Sequence, residues 1–130
     1  MKEPRWLNRR ALVLLHSETV AEHGGRPSVL DEGLLDSALA RPLQIFNYEA
    51  KPDLARLAAA YAAGLVRNHP FADGNKRAAF LSVGLFLGLN GYRLDADQVD
   101  AARKVLALAA GELSEKEFAA WIRTHLKRAS

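Results

Sequence analysis

The sequence predicts an all-α protein: a compact six-helix bundle around a buried central helix, with a short β-hairpin or extended flap near residues 43–50. Three observations carry this expectation. Apolar residues recur at helical spacing through almost every segment. The interruptions are short glycine, proline and asparagine signals, with no repeat, low-complexity tract or Ser/Gly-rich linker. The length of 130 residues suits one hydrophobic core, so residues 1–130 are read as a single domain.

The first helix is expected from about Asn8 to Glu22, with Leu7, Ala11, Leu14 and Leu15 on one stripe and a stop at His23-Gly24-Gly25. A second should start with Asp31 as N-cap and turn Leu34, Leu35, Ala38 and Leu39 to the core. It should end at Arg41, because Pro42 disfavours helical geometry in the residue before it. From Leu43 to Pro52 the helical period fails and Gln44, Phe46 and Tyr48 alternate with Ile45, Asn47 and Glu49, the pattern of a flap whose aromatic residues anchor it.

Leu54, Leu57, Ala58, Tyr61, Ala62 and Leu65 form the face of a third, amphipathic helix that delivers Asn68-His69 at its C-terminal end. The segment from about Asn75 to Leu89 is apolar nearly all round, which predicts that it is the central helix. Gly84 and Gly88 each cost it roughly 1 kcal/mol of helix propensity, which predicts close approach of a neighbouring helix there. Asn90-Gly91 ends it. Asp97 can cap a fifth helix with Val99, Ala102, Val105, Leu106 and Ala109 inward, closed by Gly111. The sixth has a capping box, Ser114 with Glu117, and a hydrophobic staple, Leu113 with Phe118, before Trp121, Ile122 and His125.

Composition narrows function. Hydrophobic residues at 49% and charged residues at 25% exclude a disordered or fibrous class. The absence of cysteine removes disulfides, thiolate metal sites and cysteine nucleophiles, and fits a reducing cytoplasm. The charged N-terminus lacks a secretory apolar region, and the longest apolar stretch, Ala78 to Leu89, is too short for a bilayer, so a cytoplasmic protein without membrane partners is expected. The net charge of +3 is spread along the chain. With neither a helix-turn-helix pattern nor a basic stripe interleaved with aromatics, direct nucleic-acid binding is disfavoured.

The chemistry concentrates in His69-Pro70-Phe71-Ala72-Asp73-Gly74-Asn75-Lys76-Arg77. Pro70 to Gly74 joins two helices, so the amides of Gly74, Asn75 and Lys76 lie at a helix N-terminus, where unpaired N–H groups and the macrodipole attract anions. Lys76 and Arg77 oppose that dipole unless an anion compensates them. Asp73 is a carboxylate of the kind magnesium takes beside phosphates, and equally a possible N-cap. His69 supplies an imidazole, the side chain that most readily accepts a proton near neutral pH, and could activate a hydroxyl. Phe71 is expected to plug into the core, and Asn75 either to cap its helix or to orient a phosphate oxygen.

This run resembles the signature of the Fic/Doc family, His-x-Phe-x-Asp/Glu-Gly/Ala-Asn-Gly/Lys-Arg, and the likeness extends over most of the chain, whose length resembles the compact Doc branch. The resemblance implies a helical fold that holds ATP and Mg2+ at the loop and helix start. By it, His69 is the base and Asp73 the metal residue, both catalytic with Lys76 and Arg77, while Gly74, Asn75, Lys76 and Arg77 bind the nucleotide. Members that transfer AMP typically have glycine at the position of Lys76 and a second arginine at that of Phe80. Both departures point to a Doc-like kinase presenting the γ-phosphate, whereas Gly74 matches the AMP-transferring pattern.

The resemblance thus implies a toxin partnered by an antitoxin, phosphorylating a hydroxyl, threonine by likeness, on a translation factor such as elongation factor Tu, with growth arrest as the outcome. The alternatives are a Fic-type AMP transferase and a non-catalytic antitoxin- or peptide-binding module. Elsewhere, His16 and His23 lack a third ligand at useful spacing and read as surface or capping residues. Asp95 and Asp97 read as turn and cap.

Overall fold

Where the sequence supplies a capping side chain, a helix begins. The computed structural model describes residues 2–129, and in it Asn8, Asp31, Asp53 and Ser114 each accept a hydrogen bond from a first-turn amide, a contribution of about 1 kcal/mol per helix. They open α1 (Arg9–Glu22), α2 (Glu32–Tyr48), α3 (Leu54–Asn68) and α6 (Glu115–Thr124). The Ser114–Glu117 capping box forms as expected. Two helices, α4 (Asn75–Leu89) and α5 (Gln98–Ala109), start without a side-chain cap bond. Two short strands, β1 (Tyr92–Leu94) and β2 (Leu126–Arg128), pair antiparallel and tie the chain's end to the exit of α4. The protein is therefore all-α with one small antiparallel pair.

The central helix is α3, which corrects the expectation that residues 75–89 hold that place. From Ala55 to Val66 only Arg56 escapes full burial, and α2, α4, α5 and α6 all pack around it. Its alanines explain the misreading. They score as weakly hydrophobic, yet their small size lets neighbours close in from every side. At Gly64 a Cβ would lie 3.2 Å from Ala38 Cα, so α2 crosses α3 there in near contact. Gly84 and Gly88, assigned that role by their spacing, have no other atom within 4 Å of an added Cβ. They lie instead on an open face of α4.

The extended flap near 43–50 is not extended: α2 continues through Pro42 to Tyr48. Pro42 has no N–H for the carbonyl of Ala38 one turn earlier, but that carbonyl faces the close crossing at Gly64, and Pro42 is itself buried. Phe46 then meets Trp6 edge-on at 5.6 Å, and Trp6 stacks on Phe86 of α4 at 6.2 Å. Burial of this aromatic chain outweighs the local helix break. Tyr48, 88% exposed, anchors nothing.

The phase of two other helices also differs from expectation. On α1 the buried residues are Leu12, His16 and Val20, while Leu14 is exposed. On α5 they are Ala101, Val105 and Leu108, leaving Val99 and Leu106 outside. The buried carboxylate of Glu115 receives Arg41 and Arg67 at 2.8 and 2.9 Å as well as Arg56, joining α2, α3 and α6. No helix among the described residues is long and apolar enough to cross a membrane.

Candidate active site

The loop between α3 and α4 is held from below by backbone. Leu30 N–H donates to Pro70 O and Ala72 N–H to Ser28 O, both at 2.8 Å, around an isolated bridge between Val29 and Phe71. Phe71 is buried, as expected, with its ring stacked on His16. At the end of α3, His69 turns the chain with a left-handed backbone, φ 51° and ψ 53°, a conformation few non-glycine residues adopt. The residue is exposed.

Asn75 is buried, and its side chain is committed elsewhere than to a phosphate. Oδ1 accepts the Phe71 N–H at 3.0 Å, while Nδ2 donates to Phe71 O at 3.0 Å and to His69 Nδ1 at 3.1 Å. Turning the amide over would set donor against donor and acceptor against acceptor at Phe71, so its orientation is fixed. The orientation fixes Nδ1 of His69 as an acceptor, and the neutral ring carries its proton on Nε2. Only the backbone amide of Asn75 remains for a ligand.

Asp73 is exposed, and Gly74, not Asp73, is the N-cap of α4, in the left-handed region at φ 75°. The Asp73 carboxylate instead accepts the Arg26 N–H through Oδ2 at 2.8 Å, and its carbonyl accepts from Nε2 of His16 at 2.8 Å. Among the described residues no hydrogen bond engages Oδ1 of Asp73 or the amides of Asn75, Lys76 and Arg77. Lys76 and Arg77 are exposed and form no ion pair among the described residues. Uncommitted amides, an available carboxylate oxygen and two free cations are a donor set that fits a phosphate chain with a magnesium ion.

Three open depressions meet at Lys76. One of about 310 Å³ gathers Asp73, Gly74, Lys76 and Arg77 beneath Thr19 and His23. A second, of about 620 Å³, carries His69 and Lys76 against Arg103 and Leu106 of α5. The third, of about 420 Å³, runs from Lys76 and Arg77 along Phe80, Gln98, Ala102 and Val105. The carboxylate, helix start and cations thus share one recess, and His69 opens into the adjoining one across Lys76.

Three contributors escaped the sequence reading. Arg26 acts through its backbone and Arg103 stands on a distant helix, so neither left a local signal. His16 did: it sits midway between Leu12 and Val20 at a spacing of four, on the buried stripe rather than the surface. Burial lowers its pKa below the ordinary imidazole value, against the opposing pull of the Asp73 and Gly74 backbone, which keeps the ring neutral. His23, by contrast, is the C-cap of α1 and exposed, as expected.

A helical scaffold that leaves a helix start uncapped beside two cations and an imidazole can hold a phosphate chain and move a proton. Comparison with known proteins agrees with such a class. The Fic/DOC family matches residues 6–87, from before α1 almost to the end of α4, and the chain belongs to this family. It is 45% identical over 85 residues to Toxin Doc of Mycolicibacterium smegmatis, a match covering 64% of this chain and 65%, just under two thirds, of that protein. It is 32% identical over 119 residues to Protein kinase doc of Escherichia phage P1, across 92% of this chain and 94% of the other.

Proposed function

We propose that this chain is a Doc-type toxin working as a protein kinase, moving the γ-phosphate of ATP to a hydroxyl of a protein. The observation that carries the reading is the position of Lys76 at the junction of all three depressions. A charged tail stands there, where the AMP-transferring pattern has bare backbone. Phe80 supports the same reading: it is part of the apolar wall of the third depression and cannot pair with a phosphate.

Gly74, the one residue that matched the AMP-transferring pattern, has a local explanation. Its φ is 75°, and a Cβ would come within 2.5 Å of Val20 Cγ2 and 3.0 Å of His16 Nε2. Packing against Val20 and the left-handed backbone favour glycine here, so its presence does not by itself indicate the transferred group.

In this mechanism the amides of Gly74, Asn75 and Lys76 bind the phosphate chain together with the cations of Lys76 and Arg77, while Asp73 takes the magnesium ion. Magnesium, when bound, neutralises charge on the phosphate oxygens. His69 takes the proton of the target hydroxyl as its oxygen attacks the γ-phosphorus and the bond to the ADP oxygen breaks. Because Nε2 carries the proton at rest, accepting another there requires the Nδ1–H tautomer and release of Asn75. The base therefore stays idle until a target displaces that contact.

The acceptor is a threonine hydroxyl on a translation factor such as elongation factor Tu, in the cytoplasm. The partner is an antitoxin whose amphipathic helix covers the apolar groove of about 600 Å³ along Phe80, Leu81, Gly84, Leu85 and Gly88. Incubation with ATP, magnesium and a bacterial lysate, followed by intact-mass analysis of the modified protein, tests the proposal. A phosphate-sized increment supports it, and an AMP-sized increment refutes it.

A further inference from the structure

One histidine outside the signature is sealed against the site in a way that packing alone does not account for. His16 is completely buried on α1, with its ring stacked 3.8 Å from that of Phe71. Its Nε2 lies 2.8 Å from the Asp73 carbonyl, which can only accept, so Nε2 carries the proton. Nδ1 is then a bare acceptor, and it is buried with no partner. An aliphatic side chain would fill the space without that orphaned nitrogen, which costs about 1–3 kcal/mol. What the imidazole supplies instead is the bond to Asp73.

The geometry of one peptide unit gives that bond a consequence. In a trans peptide the C=O and the following N–H point in opposite directions, and the chain has no cis bond among its described residues. With the Asp73 carbonyl drawn toward His16, the Gly74 N–H points away from that ring, and Gly74 lines the recess with Lys76 and Arg77. Val20, one turn further along α1, occupies the space beside Gly74 and backs the same peptide.

We infer that His16 is a positioning residue: its Nε2–H pins the Asp73–Gly74 peptide so that the Gly74 amide points at the bound phosphate chain. The inference deepens the proposed function and rests on it, since it assumes that the start of α4 holds phosphate.

The test compares His16→Leu, which removes the donor, with His16→Gln, whose amide nitrogen reaches the position of Nε2. Two readouts are needed: the Gly74 amide resonance of the nucleotide-free protein, and calorimetric titration with ATP in magnesium chloride. The Gly74 resonance should shift in H16L and return in H16Q. ATP affinity should fall roughly tenfold in H16L, the scale of one hydrogen bond, and recover to within about threefold of wild type in H16Q. If H16L does not fold, His16→Asn, whose amide is a bond too short, takes its place in the same comparison. Wild-type affinity in H16L with an unmoved Gly74 resonance overturns the positioning role and leaves the phosphate site standing. Absence of ATP binding by the wild type overturns the site itself, and the inference with it.

Discussion

Asn75 donates its side-chain amide to Nδ1 of His69 at 3.1 Å while the backbone of Phe71 grips the same amide from both sides. The resting tautomer of His69 is thereby set by the Asn75 side chain, which leaves Nδ1 as the acceptor and the proton on Nε2. Nitrogen-15 NMR of the resting protein should show His69 as the Nε2–H tautomer, and a resting Nδ1–H tautomer contradicts the assignment. Asn75→Ala should lose that preference. It should also cost about 2–3 kcal/mol by leaving the buried Phe71 N–H and C=O unpaired, read by urea unfolding.

Gly74 and Val20 form a second testable pair. Gly74→Ala sets a methyl against Val20 and forces a left-handed backbone on alanine, so it should destabilise by about 1–3 kcal/mol. Adding Val20→Ala should recover part of that loss in a double-mutant cycle. The double variant should still transfer phosphate, because Gly74 answers to packing and not to the identity of the transferred group.

Glycines on α3 and α4 should respond with opposite sign. Gly64→Ala drives a methyl into Ala38 and should destabilise by about 1–3 kcal/mol. Gly84→Ala meets open space in a helix and should stabilise by about 0.5–1 kcal/mol. Thermal melts of the two variants decide it.

How much was legible follows from the same residues. Caps announced themselves at Asp31 and Ser114, because a short polar side chain before an apolar period has few other uses, whereas Asp97, read the same way, takes the N-cap position of α5 without making a side-chain cap bond. The signature from His69 to Arg77 pointed to the loop at which Asp73, Gly74, Lys76 and Arg77 come to line one recess. Burial was less visible. Alanine-rich α3 looked less central than leucine-rich α4, and Pro42 marked a break that contacts between Phe46, Trp6 and Phe86 override. The role of Asn75 was hidden because its partners, Phe71 and His69, depend on loop geometry that spacing does not encode. His16 was legible in its spacing of four from Leu12 and Val20, but its polarity led it to be read as a surface or capping residue.

Acid should loosen the junction of α2, α3 and α6. Burial pushes the Glu115 carboxyl up, yet Arg41 and Arg56 outweigh it and hold the pKa below the ordinary glutamate value. Asp53 is likewise lowered, chiefly by its hydrogen bond from Arg123. Carboxyls whose pKa falls on folding stabilise the fold above their unfolded values, and that stability is lost as pH drops through the folded values. Denaturant midpoints should therefore fall below about pH 4. Glu115→Gln should flatten that acid limb while lowering stability at neutral pH.

The central claim is that a proton leaves a target hydroxyl at His69 while the terminal phosphate moves at the start of α4. Transfer of label from ATP to the protein target, run in parallel with γ-labelled and α-labelled nucleotide, tests it most directly. The γ label should appear on the target and be lost with His69→Ala. Incorporation of the α label, or γ labelling that survives loss of the imidazole, would contradict the account.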